Sequence, residues 1–238
     1  MKFHARDLDS VREATERLLT AVAKMDNAAV TQPSRLPGWT RGHVLAHLAR
    51  NADAIVNVLE GRPMYVSGEA RDADIERDAP RPLDAQLTDL RDSANRFQDA
   101  AAVPADWSRT VELRNGVTDE ASRVPFRRWI EVELHHVDLD IGYELEDLPE
   151  EFTQREINFL TERFRDHPTV PAVTIKQDDG RLLFTGAVKG LTPEQLESGS
   201  HSLLVTGRQA DLLGWLAGRR DGAALRVEGG TLPSLPAL

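Results

Sequence analysis

Histidine and carboxylate side chains cluster in the run RWIEVELHHVDLD, and their spacing suits a metal site. Glu131 and His135 are four residues apart, and Asp138 follows three residues later. On a helix these positions share one face, so the imidazole and the first carboxylate could bind the same ion. Asp138 is placed to orient the imidazole by accepting a hydrogen bond from its other ring nitrogen.

A second histidine pair, His43 and His47, stands earlier in the chain, within GHVLAH. Metal sites in helical bundles are built from side chains of different helices, so a ligand from this segment could meet Glu131 and His135. Three nitrogen and oxygen ligands leave the fourth position of a tetrahedral zinc ion open, which is the pattern of a catalytic site. Spacing alone does not decide which histidines bind, and it also fits ordinary pairs on a helix surface.

Several neighbouring residues favour other roles. Val44 stands where the HExxH zinc proteases carry their general base, which argues against a protease. His136 points about 100° away from His135 on a helix, so the two do not face one ion. Trp39 and Trp129 are interpreted as packing anchors.

Composition excludes several classes of function. The chain has 238 residues and a formal net charge of −10, which disfavours binding to nucleic acid. It contains no cysteine, so thiolate ligands and a thiol nucleophile of its own are excluded, and thiol chemistry would require an outside thiol. No segment has the apolar pattern of a signal peptide or a membrane span. We therefore expect a cytoplasmic protein without membrane partners.

Helices must position the candidate ligands, because apolar periodicity is helical through the first two thirds of the chain. Four long helices are predicted, around Leu8–Val22, Arg41–Gly61 with Thr40 as its cap, Leu83–Ala102 and Val124–Tyr143. The polar stretch between the second and third is predicted to be a long connection with a function or flexibility. Four such helices with one long crossover predict a bundle.

After Pro149 the pattern changes. A helix over residues 150–167 precedes three short β-type runs, AVTIKQ, RLLFTG and SLLVTG. A further helix, RQADLLGWLAGRRD, and a last strand, ALRVEG, complete a small mixed unit. The sequence thus predicts an α+β protein of two domains, a metal-binding four-helix bundle over residues 1–148 and an α/β domain over residues 149–238.

Four separated motifs, in this order, resemble one enzyme family. They are LPGWTRGHVLAHLARNADAIVNVLEG, PMYVSGEARDADI, EVELHHVDL and GWLAGRRDG. Together they resemble the mycothiol-dependent maleylpyruvate isomerases of the DinB-like metalloenzyme superfamily. The first motif alone indicates only the wider group of mycothiol- and bacillithiol-linked proteins, whereas PMYVSGEAR indicates the isomerase branch.

The resemblance implies a set of site residues. It implies that zinc, or a similar divalent metal, is bound by His47, Glu131 and His135. It also implies an essential arginine in the C-terminal domain at Arg219, with the adjacent Arg220 as an alternative. A set of two histidines and one carboxylate also accepts iron, cobalt or nickel, so the identity of the metal stays open.

One position departs from the family pattern. The family commonly carries an arginine directly before the ligand glutamate, but Ile130 stands there in this chain. The nearest arginines are Arg127 and Arg128. The departure concerns a contact around the metal and not the ligands themselves.

The resemblance implies that mycothiol is a thiol cosubstrate and that the substrate is a small dianion. The reaction would be the cis–trans isomerisation of maleylpyruvate to fumarylpyruvate in the gentisate pathway of aromatic catabolism. A mycothiol S-transferase acting on other electrophiles would keep the same metal ligands and is the alternative. A non-enzymatic helical protein with structural histidines is a third hypothesis. The oligomeric state is open, and a monomer is compatible with the sequence.

Overall fold

The computed structural model describes residues 3–103, 106–192, 194–195 and 202–237. The chain forms two compact units, Met1–Tyr143 and Glu144–Leu238. The first is helical and the second is a small α/β unit, which confirms the predicted fold class. The domain boundary after residue 148 stays a prediction. Within the described ranges, none of the helices combines the length and apolarity needed to cross a bilayer.

Four long helices form the core of the first unit. The helices of this unit are α1 (Phe3–Val22), α2 (Asn27–Val30), α3 (Arg41–Leu59), α4 (Gly68–Asp78), α5 (Leu83–Ala102) and α6 (Val124–Asp138), with a short 3₁₀ turn at Ala121–Arg123. Helix α1 contacts α5 and α6, and α3 contacts the same two helices, so the four long helices pack in a closed ring. Their apolar faces meet inside it, as in the fully buried Leu18, Leu45 and Leu90. The side chains that point inward from α3 and α6 therefore lie close together.

Two helix ends show how local signals set the boundaries. Thr40 caps α3 as predicted, because its hydroxyl accepts a hydrogen bond from the backbone N–H of His43. Helix α6 is shorter than predicted and ends at Asp138 instead of near Tyr143. Asp140 and Gly142 have φ angles of 55° and 91°, and this left-handed backbone cannot continue the helix.

The predicted long connection between the second and third helices is wrong in part, because α4 lies within it. The Ser67 hydroxyl caps α4 by accepting from Ala70 N, and Glu69 and Arg77 lie at the ends that favour their charges. Of the apolar side chains in α4, Ile75 is buried. Because α4 is stabilised by its cap and its end charges and has little buried apolar surface, its sequence shows almost no apolar periodicity.

A small hairpin follows α5 and was not predicted. Its strands, β1 (Thr110–Glu112) and β2 (Thr118–Glu120), are antiparallel and joined through a tight turn at Arg114–Gly116. Each strand has three residues, and only the middle residue of β1 is buried. Such short runs carry too little alternation to be recognised in a sequence.

Among the described residues, the second unit has the order of elements that the sequence predicts, but its first helix ends at Arg163 instead of residue 167. Its elements are a 3₁₀ turn (Leu145–Asp147), α7 (Glu150–Arg163), β3 (Val173–Lys176), β4 (Leu182–Thr185), β5 (Leu203–Thr206), α8 (Gln209–Leu216) and β6 (Arg226–Glu228). The sheet order is β4-β3-β5-β6, with β3 and β5 parallel and the other pairs antiparallel. Helix α8 ends before the predicted residue 221, because Gly218 has a φ of 68°.

Replacing Gly42 with alanine is expected to destabilise the helical unit by about 2–3 kcal/mol. A β-carbon at this position in α3 would overlap the Ala79 carbonyl oxygen and lie 2.9 Å from Val30 Cγ1. Gly68→Ala is the matched control, because no atom lies within 4 Å of its added carbon. Urea unfolding measures both changes, and equal midpoints for the two variants would contradict this packing.

Candidate metal centre

Helices α3 and α6 bring His47, Glu131 and His135 together. Their ligand atoms all lie within 4.8 Å of one another. His47 Nε2 is 2.9 Å and His135 Nε2 is 3.3 Å from the same atom, Glu131 Oε2. Two ligand atoms each about 2 Å from a tetrahedral zinc ion lie roughly 3–3.5 Å apart. The donor types and their separations therefore fit one divalent ion.

The two histidines of α3 have different surroundings. His43 Nδ1 accepts from Thr40 N at 3.2 Å, which completes the capping box at the start of α3. Its other ring nitrogen lies 3.3 Å from Glu76 Oε2. His47 lies one turn later and faces α6, where it contacts Glu131. The spacing in the sequence does not distinguish the two histidines as ligands. In the structure, His47 is the one of the pair that contacts Glu131.

Asp138 holds the ring of His135, as the spacing predicted. His135 Nδ1 lies 2.8 Å from Asp138 Oδ2, and the Asp138 side chain is completely buried. With Nδ1 donating to this carboxylate, Nε2 is the nitrogen that faces Glu131. A fixed tautomer of this kind directs the ring lone pair to one position.

Burial and hydrogen bonding favour the protonation states that a metal requires. Burial lowers the pKa of His47 to about 4, although its hydrogen bond to Glu131 acts in the opposite direction. Burial would raise the pKa of Glu131, but hydrogen bonds from His135 and His47 hold it well below its usual range. At neutral pH, His47 is therefore a neutral imidazole and Glu131 a carboxylate, which are the forms that bind metal ions.

His135 differs from His47 in the balance of the same effects. Burial would lower its pKa, but the hydrogen bonds to Asp138 and Glu131 outweigh burial and raise it. The two imidazoles meet edge to face, with ring centroids 4.7 Å apart. The Glu131 carboxylate thus contacts two histidines whose pKa values are shifted in opposite directions, downward for His47 and upward for His135.

Arg71 and Tyr65 border this group and were not singled out from the sequence. Arg71 lies in α4, and its Nη2 is 3.2 Å from His47 Nδ1. Its guanidinium carbon is 6.0 Å from the centroid of the Tyr65 ring. Burial and the nearby charge of Glu131 raise the pKa of Tyr65. The PMYVSGEAR motif contains both residues, but without α4 their approach to His47 could not be inferred.

The two tryptophans have different environments. Trp129 is buried, and its indole N–H donates to Glu133 Oε1 at 3.0 Å, which confirms it as a packing anchor. Trp39 is half-buried, and its ring centroid lies 5.5 Å from that of His47. The interpretation of Trp39 as a packing anchor is therefore incomplete, because its ring also borders a candidate ligand.

The departure at Ile130 is accompanied by a buried arginine two residues earlier. Arg128 is 1% exposed, and its Nη1 donates to Leu48 O at 2.9 Å and Asn51 Oδ1 at 2.7 Å. Burial lowers its pKa to about 10. Arg127 instead pairs with Asp119 of β2. The guanidinium of Arg128 therefore supports α3 directly beside His47.

His136 faces away from the candidate ligands, as predicted. It is buried and stacks on Tyr143 with ring centroids 4.0 Å apart. On the same side of α6, the buried Glu133 accepts hydrogen bonds from Arg17 and Tyr143. This network joins α1 to α6 and to the segment that follows α6.

In the second unit, Arg219 and Arg220 follow α8 and have different partners. Arg220 donates to Asp211 Oδ1 at 2.6 Å and to Glu146 Oε2 at 2.7 Å. Arg219 Nη1 donates to the carbonyl oxygen of Ala217 at 2.7 Å. Two carboxylates therefore hold Arg220 in the scaffold of this unit.

Comparison with known proteins agrees with the two-unit fold. The family model of the mycothiol maleylpyruvate isomerase N-terminal domain matches residues 11–140, and that of the C-terminal domain of the family matches residues 147–237. A crystal structure of the mycothiol-dependent maleylpyruvate isomerase is 25% identical, with a TM-score of 0.86 over 100% of both chains. A histidine-to-alanine mutant of that isomerase gives the same values. A comparison with curated proteins finds no significant match. The chain therefore belongs to the mycothiol maleylpyruvate isomerase family.

Proposed function

We propose that this protein is an enzyme that isomerises maleylpyruvate to fumarylpyruvate with mycothiol as the thiol cosubstrate. The observation that carries the proposal is the convergence of His47, Glu131 and His135 within a chain of this family. Its expected partners are small molecules, and a net charge of −10 disfavours nucleic acid as another. Action in the cytoplasm, within the gentisate pathway, is part of the same proposal.

His47, Glu131 and His135 would bind zinc or a similar divalent ion. A bound divalent cation would lower the pKa of a coordinated thiol, so that a thiolate is present at neutral pH. The chain's part is to supply one neutral imidazole, one ionised carboxylate and a second imidazole fixed by Asp138. The absence of cysteine is compatible with a thiol brought from outside.

The proposed reaction is covalent catalysis by the cosubstrate. The sulfur adds to one carbon of the cis double bond, and the π electrons move onto the neighbouring carbonyl to form an enolate. The former double bond is now single and can rotate. When the enolate collapses, the carbon–sulfur bond breaks, the double bond re-forms as trans, and the thiolate is regenerated.

Arg219 is the proposed partner of the dianionic substrate. A guanidinium can hold a carboxylate through two parallel hydrogen bonds and can stabilise the developing enolate charge. The argument for Arg219 over Arg220 is the resemblance of GWLAGRRDG to the family motif, which implies an essential arginine at Arg219. Arg71 adds a positive charge beside His47 in the helical unit.

The decisive experiment is an ultraviolet assay of purified, metal-quantified protein with maleylpyruvate, with and without mycothiol. We expect conversion to fumarylpyruvate only when mycothiol is present. Glutathione in its place should give little turnover. A protein that binds metal but gives no conversion would contradict the isomerase and would favour the S-transferase alternative, in which the thiol stays attached to another electrophile.

Replacing Asp138 with asparagine is expected to weaken metal binding roughly 10- to 100-fold. The neutral amide of asparagine is a weaker acceptor for the N–H of His135 Nδ1 than a carboxylate is. The imidazole therefore becomes less basic and less well oriented. Competition with a chromophoric chelator measures the affinity. Asp140→Asn is the matched control, because Asp140 is exposed, pairs with Arg35, and has a φ of 55° that asparagine tolerates. Equal affinities for both variants would contradict the role of Asp138.

A further inference from the structure

A groove of about 530 Å³ lies in the helical unit, and the site described so far does not use it. One wall is the segment between α3 and α4, which includes Gly61–Tyr65 and Ser67–Gly68. The other wall is β1 and the turn that follows it, over residues 109–116. The volume is within the range of small-molecule sites in proteins.

Tyr65 connects this groove to the candidate metal centre. Its side chain lines the groove and also lies beside the guanidinium of Arg71, whose carbon is 6.0 Å from the ring centroid. The same guanidinium reaches His47 Nδ1 at 3.2 Å. The groove is therefore separated from His47 by the side chains of Tyr65 and Arg71. A ligand with its sulfur at the metal centre would have the groove beside it.

Three arginines line the groove, and two of them donate hydrogen bonds to residues of α3. Arg109 donates to the carbonyl oxygens of Val58 and Leu59 at the end of α3. Arg62 donates to Asn57 Oδ1 at 2.6 Å and pairs with Glu60. Both side chains therefore hold the wall together.

Arg114 differs from the other two. It is exposed, and its guanidinium donates to no acceptor among the described residues. The turn that carries it is tight, because Asn115 and Gly116 have φ angles of 60° and 71° and Leu113 N donates to Val117 O at 2.7 Å. The hairpin thus presents one available cation at the edge of the groove.

The chemistry of the lining suits a ligand rich in hydroxyl groups. Thr110 and Asn115 offer polar side chains, the Ser67 hydroxyl that accepts from Ala70 N still has its own proton to donate, and Tyr65 offers one aromatic ring. A small dianion would instead require paired cations. Among the described residues that line the groove, Arg114 is the one cation without a hydrogen-bond acceptor, and Glu112 adds a negative charge nearby. The lining therefore favours a neutral polyol over a second carboxylate.

We propose that this groove binds the hydroxyl-rich, sugar-like body of the thiol cosubstrate, with Tyr65 against the ligand and Arg114 donating hydrogen bonds at the outer end. This inference rests on the proposed function, because it assumes that mycothiol is the thiol. It assigns selectivity for the cosubstrate to the loop after α3 and to the β1–β2 hairpin. The metal ligands would then contact the sulfur only.

The test compares two thiols by calorimetric titration of the metal-loaded protein. Mycothiol carries the sugar-like body, whereas N-acetylcysteine offers the thiol head without it. The native protein should bind mycothiol more tightly. Arg114→Ala should weaken mycothiol binding roughly tenfold and leave N-acetylcysteine binding within about twofold. Arg91→Ala removes an exposed arginine of α5 outside the groove and should change neither affinity.

The outcomes separate this inference from the proposed function. Unchanged mycothiol binding in Arg114→Ala would overturn the groove assignment and leave the isomerase intact. An increase in KM for maleylpyruvate alone would also overturn it, because the groove would then serve the dianion. If native, metal-loaded protein binds no mycothiol, the proposed function itself fails. Equal weakening of both thiols would indicate a general disturbance of the site and would also contradict the inference.

Discussion

Alanine at His47 is expected to abolish stoichiometric metal binding and to lower the isomerisation rate at least about a thousandfold. His47 supplies one of three donors, and its Nε2 lies 2.9 Å from the shared Glu131 oxygen. Two ligands from α6 alone do not complete the open three-ligand site that catalytic zinc requires. Alanine at His135 should have the same effect. Elemental analysis after dialysis measures the metal content, and the ultraviolet assay measures the rate.

The matched control for this prediction is His43→Gln, one turn earlier in α3. Glutamine at the third helical position can keep the capping box with Thr40, so α3 should form normally. This variant should retain one metal ion per chain. One ion per chain in both His47→Ala and His135→Ala would refute the proposed ligand set.

Thermal stability gives a readout of the same site that does not depend on catalysis. A ligand that binds only the folded state stabilises it, by an amount that grows with the ligand concentration relative to its dissociation constant. Added zinc should therefore raise the Tm of the native protein and of His43→Gln. The His47→Ala variant should show no such increase, and its circular dichroism should keep the helical signal.

Alanine at Arg219 is expected to lower kcat/KM by a factor of roughly 10²–10³ while the metal content stays unchanged. The guanidinium is proposed to hold the dianion and to stabilise the enolate, so its loss affects the transition state more than the fold. The side chain donates to the Ala217 carbonyl within its own loop. Steady-state kinetics on variants of known metal content measures the effect. Native activity in Arg219→Ala would contradict this role and would mean that another residue holds the dianion.

Arg220→Ala is the informative comparison, because its expected effect is on stability. Asp211 is 4% exposed and would lose one of its two arginine partners, the other being Arg208. Glu146 would lose its bidentate partner as well. We therefore expect a lower Tm with kcat close to native. If Arg220→Ala were inactive but as stable as native, and Arg219→Ala fully active, the two roles would have to be exchanged.

Local signals determined most of the elements. The third helix was predicted with the bounds of α5, Leu83–Ala102, because its apolar residues repeat at helical spacing and Pro82 precedes it. The short strands of the second unit were found because Gly and Asp-Gly turns separate them. Helix α4 was missed, since its cap and end charges replace an apolar face. The β1–β2 hairpin was missed because three-residue strands show no pattern.

The sequence by itself determined that the chain has no thiol of its own and that imidazole and carboxylate groups recur at helical spacing. Only the tertiary structure decided that His47 meets Glu131 while His43 caps α3, because both lie on one helix and differ only in which neighbour each faces. It also decided the positions of Arg71 and Arg128 beside His47, because both depend on long-range packing against α3. Local spacing restricts which side chains can meet, and the packing of helices against one another selects those that do.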